Sequence, residues 1–252
     1  MTDITLNNRI KIIGALTGLT ILVDRDKVAR EIVENLPTPT TVGVKYASHS
    51  FVLAFKEGRC FFTEGEWEKK DVDMVIASSD KSVQTILSGK TPYSDSGVFK
   101  KRKFFKLTLR PLMDRICDYL DYRVDLEGDE TRRAAAEIIF NHRMYALPEL
   151  FSCDPEAKKI AKKLFNGEVE IRLGKSICWT VIIRDYSVST EPRPAEKPVA
   201  GLEFVDVGSY LDFATGKISL RESVALGSAI PHGYASLIDA LMREDRRIKF
   251  FS

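Results

Sequence analysis

Three histidines, His49, His142 and His232, are the side chains of this chain whose ordinary titration lies nearest neutral pH. They stand far apart, and none accompanies a serine or cysteine in a nucleophile motif. Neither Gly-x-Ser-x-Gly, a phosphate-cradling glycine loop nor His-Glu-x-x-His occurs. His232 lies beside Gly233-Tyr234, so His232, Tyr234 and Tyr210 are the candidate acid–base or polar groups; the plainer reading of each is a satisfied surface or core side chain. The run Lys100-Lys101-Arg102-Lys103, followed by Phe104-Phe105 and Lys106, is the strongest charge feature. It suits an anionic head group or membrane surface, where each basic residue contributes about 1 kcal/mol. It equally suits a solvated edge strand, where lysines discourage association. Cys60, Cys117, Cys153 and Cys178 are scattered with no Cys-x-x-Cys and no neighbouring histidine, so neither a zinc site nor any other metal or cofactor is expected. Asp114 and Asp239 suggest capping or surface pairs rather than chemistry.

The elements that must position these residues are legible from periodicity. Ile10, Ile13 and Leu16 predict a helix over 7–16, with an apolar stretch to Val23 too short to span a bilayer. Asp24 or Asp26 caps a second helix ending before Pro37. The period then falls to two. Val42, Val44 and Tyr46 alternate, as do Phe51, Leu53 and Phe55, and then Val72, Met74 and Ile76, with a turn at Glu57-Gly58. This reads as an antiparallel meander. A helix from Asp80 to Gly89, a strand over 98–107 and a helix over 110–122 follow. The acidic stretch 125–130 reads as a connection. A helix over 131–145 comes next, then one opened by Asp154-Pro155. A second meander contains Val169, Ile171, Leu173, Ile177, Trp179, Val181 and Ile183, a turn at Asp185-Tyr186, and Ala200, Leu202 and Phe204. Asp206 and Ser219 cap two short helices. A strand over 226–230, a helix over 233–242 and an apolar tail close the chain. Trp67 and Trp179 are expected to be packing residues.

The chain repeats itself. Ser88-Gly89-Lys90 returns as Thr215-Gly216-Lys217, the glycines lying 127 positions apart. Ala29, Ile32, Val33 and Leu36 have counterparts in Ala157, Ile160, Ala161 and Leu164, and Leu112-Met113-Asp114 is echoed by Leu237-Ile238-Asp239. Three elements in one order at nearly one offset predict two units, 1–126 and 127–252. Each is α+β, with a twisted, mainly antiparallel sheet covered by helices. The 252 residues accommodate two domains. A net charge of +2 is too balanced to make nucleic acid a partner. The start, Met1-Thr2-Asp3, lacks the basic n-region and apolar core expected of a signal peptide, and the cysteine usage leads to the expectation of a reduced, cytoplasmic setting.

The second half resembles the sterol carrier protein 2 (SCP-2) family. The resemblance is carried by Lys197-Pro198-Val199, Leu202-Glu203-Phe204, Gly216-Lys217-Ile218-Ser219, Ala225-Leu226-Gly227 and Gly233-Tyr234. The first half is similar at Phe55-Lys56-Glu57-Gly58-Arg59 and Leu87-Ser88-Gly89-Lys90 and departs over 93–106. The resemblance implies an apolar cavity between sheet and helices that takes a lipid, sterol or acyl chain for carriage or presentation. It implies Phe213, Leu226, Ile230, Tyr234, Leu237, Ile238 and Leu241 as ligand contacts; a filled core would use the same residues. Peripheral contact with anionic lipid through 100–103 goes with it. The competing reading is an isomerase or cyclase of secondary metabolism that folds an apolar substrate in the same pocket; a third is an interaction module of two degenerate repeats.

Overall fold

The computed structural model describes residues 2–36, 38–46, 49–68, 70–77, 108–121 and 123–248. The expected helix over 80–89, the strand over 98–107, the basic run Lys100–Lys103 and the final Phe250 and Phe251 lie outside these residues. The described chain falls into two compact units: Ala15–Val124, and Met1–Gly14 together with Asp125–Ser252. We refer to them as the N-terminal and C-terminal units.

The N-terminal unit holds most of α1 (Thr2–Arg25), α2 (Lys27–Glu34), four strands and α3 (Arg110–Leu120). The strands are β1 (Thr40–Tyr46), β2 (His49–Lys56), β3 (Arg59–Glu64) and β4 (Met74–Ala77), in the spatial order β3-β2-β1-β4. β1–β2 and β2–β3 are antiparallel hairpin pairs, while β4 returns beside β1 in parallel, Val44 facing Ile76. The alternation places β4 in an antiparallel meander; its parallel pairing corrects that expectation, because a period of two is the same in either ladder. Val42, Val44, Phe51, Leu53 and Phe55 are buried and form the inner face of this sheet. Asp26 fixes the start of α2: its Oδ1 accepts from Ala29 N at 2.9 Å. Its Oδ2 accepts from the Tyr119 hydroxyl at 2.7 Å and from Arg115 at 2.8 Å. The carboxyl is held below its ordinary value: burial pushes it up, but the bonds from Arg115, Tyr119 and Ala29 outweigh that.

The C-terminal unit is built on α4 (Asp129–Cys153), α5 (Pro155–Ala161), strands β5 (Gly167–Leu173), β6 (Ile177–Arg184), β7 (Ser187–Glu191), β8 (Pro198–Phe204) and β9 (Ala229–Gly233), and helices α6 (Val207–Ala214), α7 (Leu220–Ala225) and α8 (Ala235–Asp245). Its sheet runs β7-β6-β5-β8-β9. β5 and β8 are parallel; the other neighbours are antiparallel. Val169, Ile171, Trp179, Val181, Ile183, Ala200, Leu202 and Phe204 are buried on one face, against which α4, α6 and α8 pack.

Two helices are longer than periodicity suggests. α1 runs through Gly14 and Gly18 to Arg25, and α4 continues through Pro148 to Cys153. Glycine and proline weaken a helix by propensity alone. Tertiary packing overrides that here: Ala15, Leu16, Leu19, Leu22, Val23, Leu147, Leu150 and Phe151 are all buried. The strand expected over 226–230 lies three residues later, because Leu226 caps α7 and Gly227 turns the chain at φ 71°. Among the described residues no helix is long and apolar enough to cross a membrane.

Candidate functional site

The residues singled out in the second half fall on the last five elements of the C-terminal unit. Asp206 caps α6, accepting from Ser209 N at 2.9 Å and from its hydroxyl at 3.0 Å. These bonds hold its carboxyl below the usual range. Gly216, at φ 77°, ends α6 in the left-handed region that glycine adopts at little cost. A reciprocal box then starts α7: the Ser219 hydroxyl accepts from Glu222 N, and the Glu222 carboxylate accepts from Ser219 N at 2.6 Å. β9 pairs with β8 from Ala229–Phe204 to Gly233–Ala200. At Gly233 a Cβ would stand 2.2 Å from the Val199 carbonyl oxygen, so the approach of the two strands requires glycine. Tyr234 then turns the chain into α8.

These elements sort the candidate ligand contacts into two groups. Phe213, Leu237, Ile238 and Leu241 are at most 2% exposed. Phe213 packs on Phe204 with ring centroids 5.2 Å apart. Leu226, Ile230 and Tyr234 are 73%, 41% and 59% exposed, but not as one cluster: Leu226 ends α7 beside the Phe204 end of β8, and Tyr234 follows β9 beside its Val199 end. Phe165, which follows α5, joins Tyr234: its ring meets that of Tyr234 edge to face at 4.9 Å and is itself 41% exposed. Sequence reasoning did not single out Phe165; its position just before the Asn166-Gly167 turn reads as loop.

The three polar candidates do not share an environment. Tyr210 is buried edge to face between Phe140 and Phe204, each 5.2 Å away. His232 and Tyr234 are exposed. His142 is different again: it is fully buried on α4, its Nε2 donating to the Ile10 carbonyl of α1 at 3.0 Å. Burial pushes its pKa down to about 3, so it is neutral near pH 7.

A buried pair underlies the α6–α8 junction. Arg143 on α4 donates to Asp245 Oδ2 and to the Ala214 carbonyl, each at 2.8 Å. Both side chains are almost wholly buried, and burial pushes the Asp245 carboxyl up while Arg143 opposes it. Among the described residues no group of three His, Cys, Asp or Glu is arranged to hold a metal ion.

No family model matches this chain, and no curated protein matches it. Among solved structures it is similar to a UbiJ-SCP2 ubiquinone synthesis protein, at 10% identity and a TM-score of 0.36 over 44% of this chain and 96% of that one. It is also similar to the sterol carrier protein domain 2 of Helicoverpa armigera, at 18% identity and a TM-score of 0.34 over 45% of this chain and 90% of that one. A third likeness is to the stereoselective inverting sec-alkylsulfatase Pisa1 from Pseudomonas sp., at 9% identity and a TM-score of 0.29 over 52% of this chain and 29% of that one.

Proposed function

We propose that this chain binds an apolar small molecule, such as a lipid, sterol or acyl chain, on its C-terminal unit and carries or presents it. The observation that carries this reading is the uncovered apolar corner formed by Tyr234 and Phe165, whose exposed rings meet edge to face where β9 gives way to α8; Ile230 is exposed along the same strand. Leaving a large apolar side chain in water forfeits about 1.5–3 kcal/mol relative to burying it. Grouped exposure of this kind is characteristic of binding surfaces. Along α8 the same corner passes directly into the buried residues Leu237, Ile238 and Leu241. A bound acyl chain or ring system would extend that core outward. The SCP-2-like run from Lys197 to Tyr234 supports the same reading, because it spans this corner.

A fluorescent fatty acid titrated into the full chain tests this. The double variant Phe165→Ser, Tyr234→Ser should bind at least about tenfold more weakly, since each exposed contact contributes on the order of 1.4 kcal/mol or more. Its circular dichroism should be unchanged, because both side chains face solvent. Equal binding by the variant and the parent contradicts the reading.

We also infer that the two units arose by duplication. Their first four strands follow the same order of pairing, hairpin, hairpin and parallel return, and begin at Thr40 and Gly167, His49 and Ile177, Arg59 and Ser187, and Met74 and Pro198. Asp26 and Asp154, 128 positions apart, both cap a helix through the backbone of an alanine three residues on and both accept from an arginine. The turns Glu57-Gly58 and Asp185-Tyr186, again 128 apart, both place two consecutive residues at positive φ. Homologous sequences aligned half against half should show one pattern of preference at these pairs; unrelated patterns contradict duplication.

A further inference from the structure

We propose that a cleft in the C-terminal unit, between α6, α7 and α8, binds a phosphate monoester group. The cleft has a volume of about 440 Å³ and is lined by Arg221, Arg243, Arg246 and Arg247, with a single carboxylate, Asp239. Four guanidinium groups gathered at one concavity repel one another, and a bound anion relieves that repulsion.

Their commitments differ. Arg247 is already paired, donating to Asp154 Oδ2 at 2.9 Å and to Glu244. Arg246 lies over the Phe213 ring, 5.7 Å from its centroid, and reaches across Gly216, where an added Cβ would stand 3.3 Å from its Nη2. Glu222, lying nearby, feels Arg246 but spends its carboxylate on the Ser219 backbone. Among the described residues Arg221, Arg243 and Arg246 have no carboxylate within 4 Å, while Lys217 nearby is paired with Asp212. Arg221, Arg243 and Arg246 thus line the cleft without an ion pair among the described residues, facing Asp239, although Arg246 is also stacked on Phe213 and felt by Glu222 and Asp245.

That excess matches a phosphate monoester, which carries about −1.5 to −2 charges near neutral pH and offers three strong acceptor oxygens. Guanidinium groups bind such oxygens in pairs, which lysine does not, and all four cations of the cleft are arginine. The Gly216-Lys217 turn takes part in the construction: any side chain at position 216 would press on Arg246. The C-terminus of α8 also favours nearby cations, so the variants below separate helix stabilisation from anion binding.

The experiment uses the full chain with two sources of the same group. Phenyl phosphate is titrated with ³¹P NMR detection, and flotation is measured on phosphatidylcholine vesicles with and without phosphatidic acid. The double variant Arg221→Gln, Arg243→Gln changes two exposed side chains outside the apolar corner. We expect the parent to shift the phenyl phosphate resonance, or to float with phosphatidic acid vesicles, and the double variant to lose at least about tenfold in whichever is seen. A soluble-only response identifies a free phosphorylated molecule; a vesicle-only response identifies a lipid head group. Thermal melting should change little. If neither probe responds, or if the variant responds as the parent does, the proposal is overturned. A large fall in melting temperature with binding retained also overturns it, in favour of helix stabilisation alone.

Discussion

His142 shows how a residue suited to proton transfer becomes structural. It lies on α4 with Ala135, Ile138 and Ile139, and all four are buried. Its partner was not legible, because Gly14 lies 128 positions away in a different helix and leaves no local trace. A Cβ at Gly14 would fall 1.0 Å from His142 Cδ2, so the ring occupies the space a side chain would fill. Gly14→Ala should therefore destabilise the protein by about 3 kcal/mol, at the upper end of overpacking costs, read as a lower urea midpoint; an unchanged midpoint contradicts the contact. The same burial gives a pH dependence with a definite sign. The His142 pKa is about 3 in the folded protein against an ordinary value of 6.5. As pH falls from 6.5 towards 3, the unfolded chain gains a proton that the folded chain refuses, so stability is lost across that window. His142→Gln keeps a donor for the Ile10 carbonyl and should remove about 1.4 kcal/mol per pH unit of that slope, measured by urea unfolding at stepped pH. Asp26 and Asp154, both held low, add loss in the same direction at lower pH, while Asp245, pushed up by burial, acts against it.

Helix starts were the most legible elements, because a cap is a local contract between one side chain and a backbone N–H two or three residues on. Asp154, Asp206 and Ser219 all cap where the sequence placed them, and of Asp24 and Asp26 it is Asp26 that does so. Helix ends were less legible: α1 and α4 pass through glycine and proline because burial outweighs local preference. The two matched caps predict different costs. Asp26 is buried and also satisfies Tyr119 and Arg115; Asp154 is less buried and shares only Arg247. Asp26→Ala leaves the buried Tyr119 hydroxyl without that acceptor and should cost about 3–4 kcal/mol. Asp154→Ala should cost about 1–2 kcal/mol. Chemical denaturation of the two variants side by side checks the order, and equal losses contradict it.

At the scale of the whole chain, the α+β class was legible from the switch between periods of 3.6 and 2. The parallel returns of β4 and β8 were not, since alternation carries no direction. The candidate ligand contacts also divided in a way that periodicity does not convey. A helix face and an edge strand show the same apolar spacing whether something covers them or not. Phe213, Leu237, Ile238 and Leu241 became core, while Leu226, Ile230 and Tyr234, joined by Phe165, stayed in contact with solvent. Binding of an apolar molecule at this corner is tested most directly by organic extraction of the purified full chain, followed by mass spectrometry of what is released. The parent protein should release near-stoichiometric acyl chains, sterols or comparable apolar molecules, and the Phe165→Ser, Tyr234→Ser variant should lose them. A parent protein that releases none and also fails to take up added fatty acid contradicts binding at this corner.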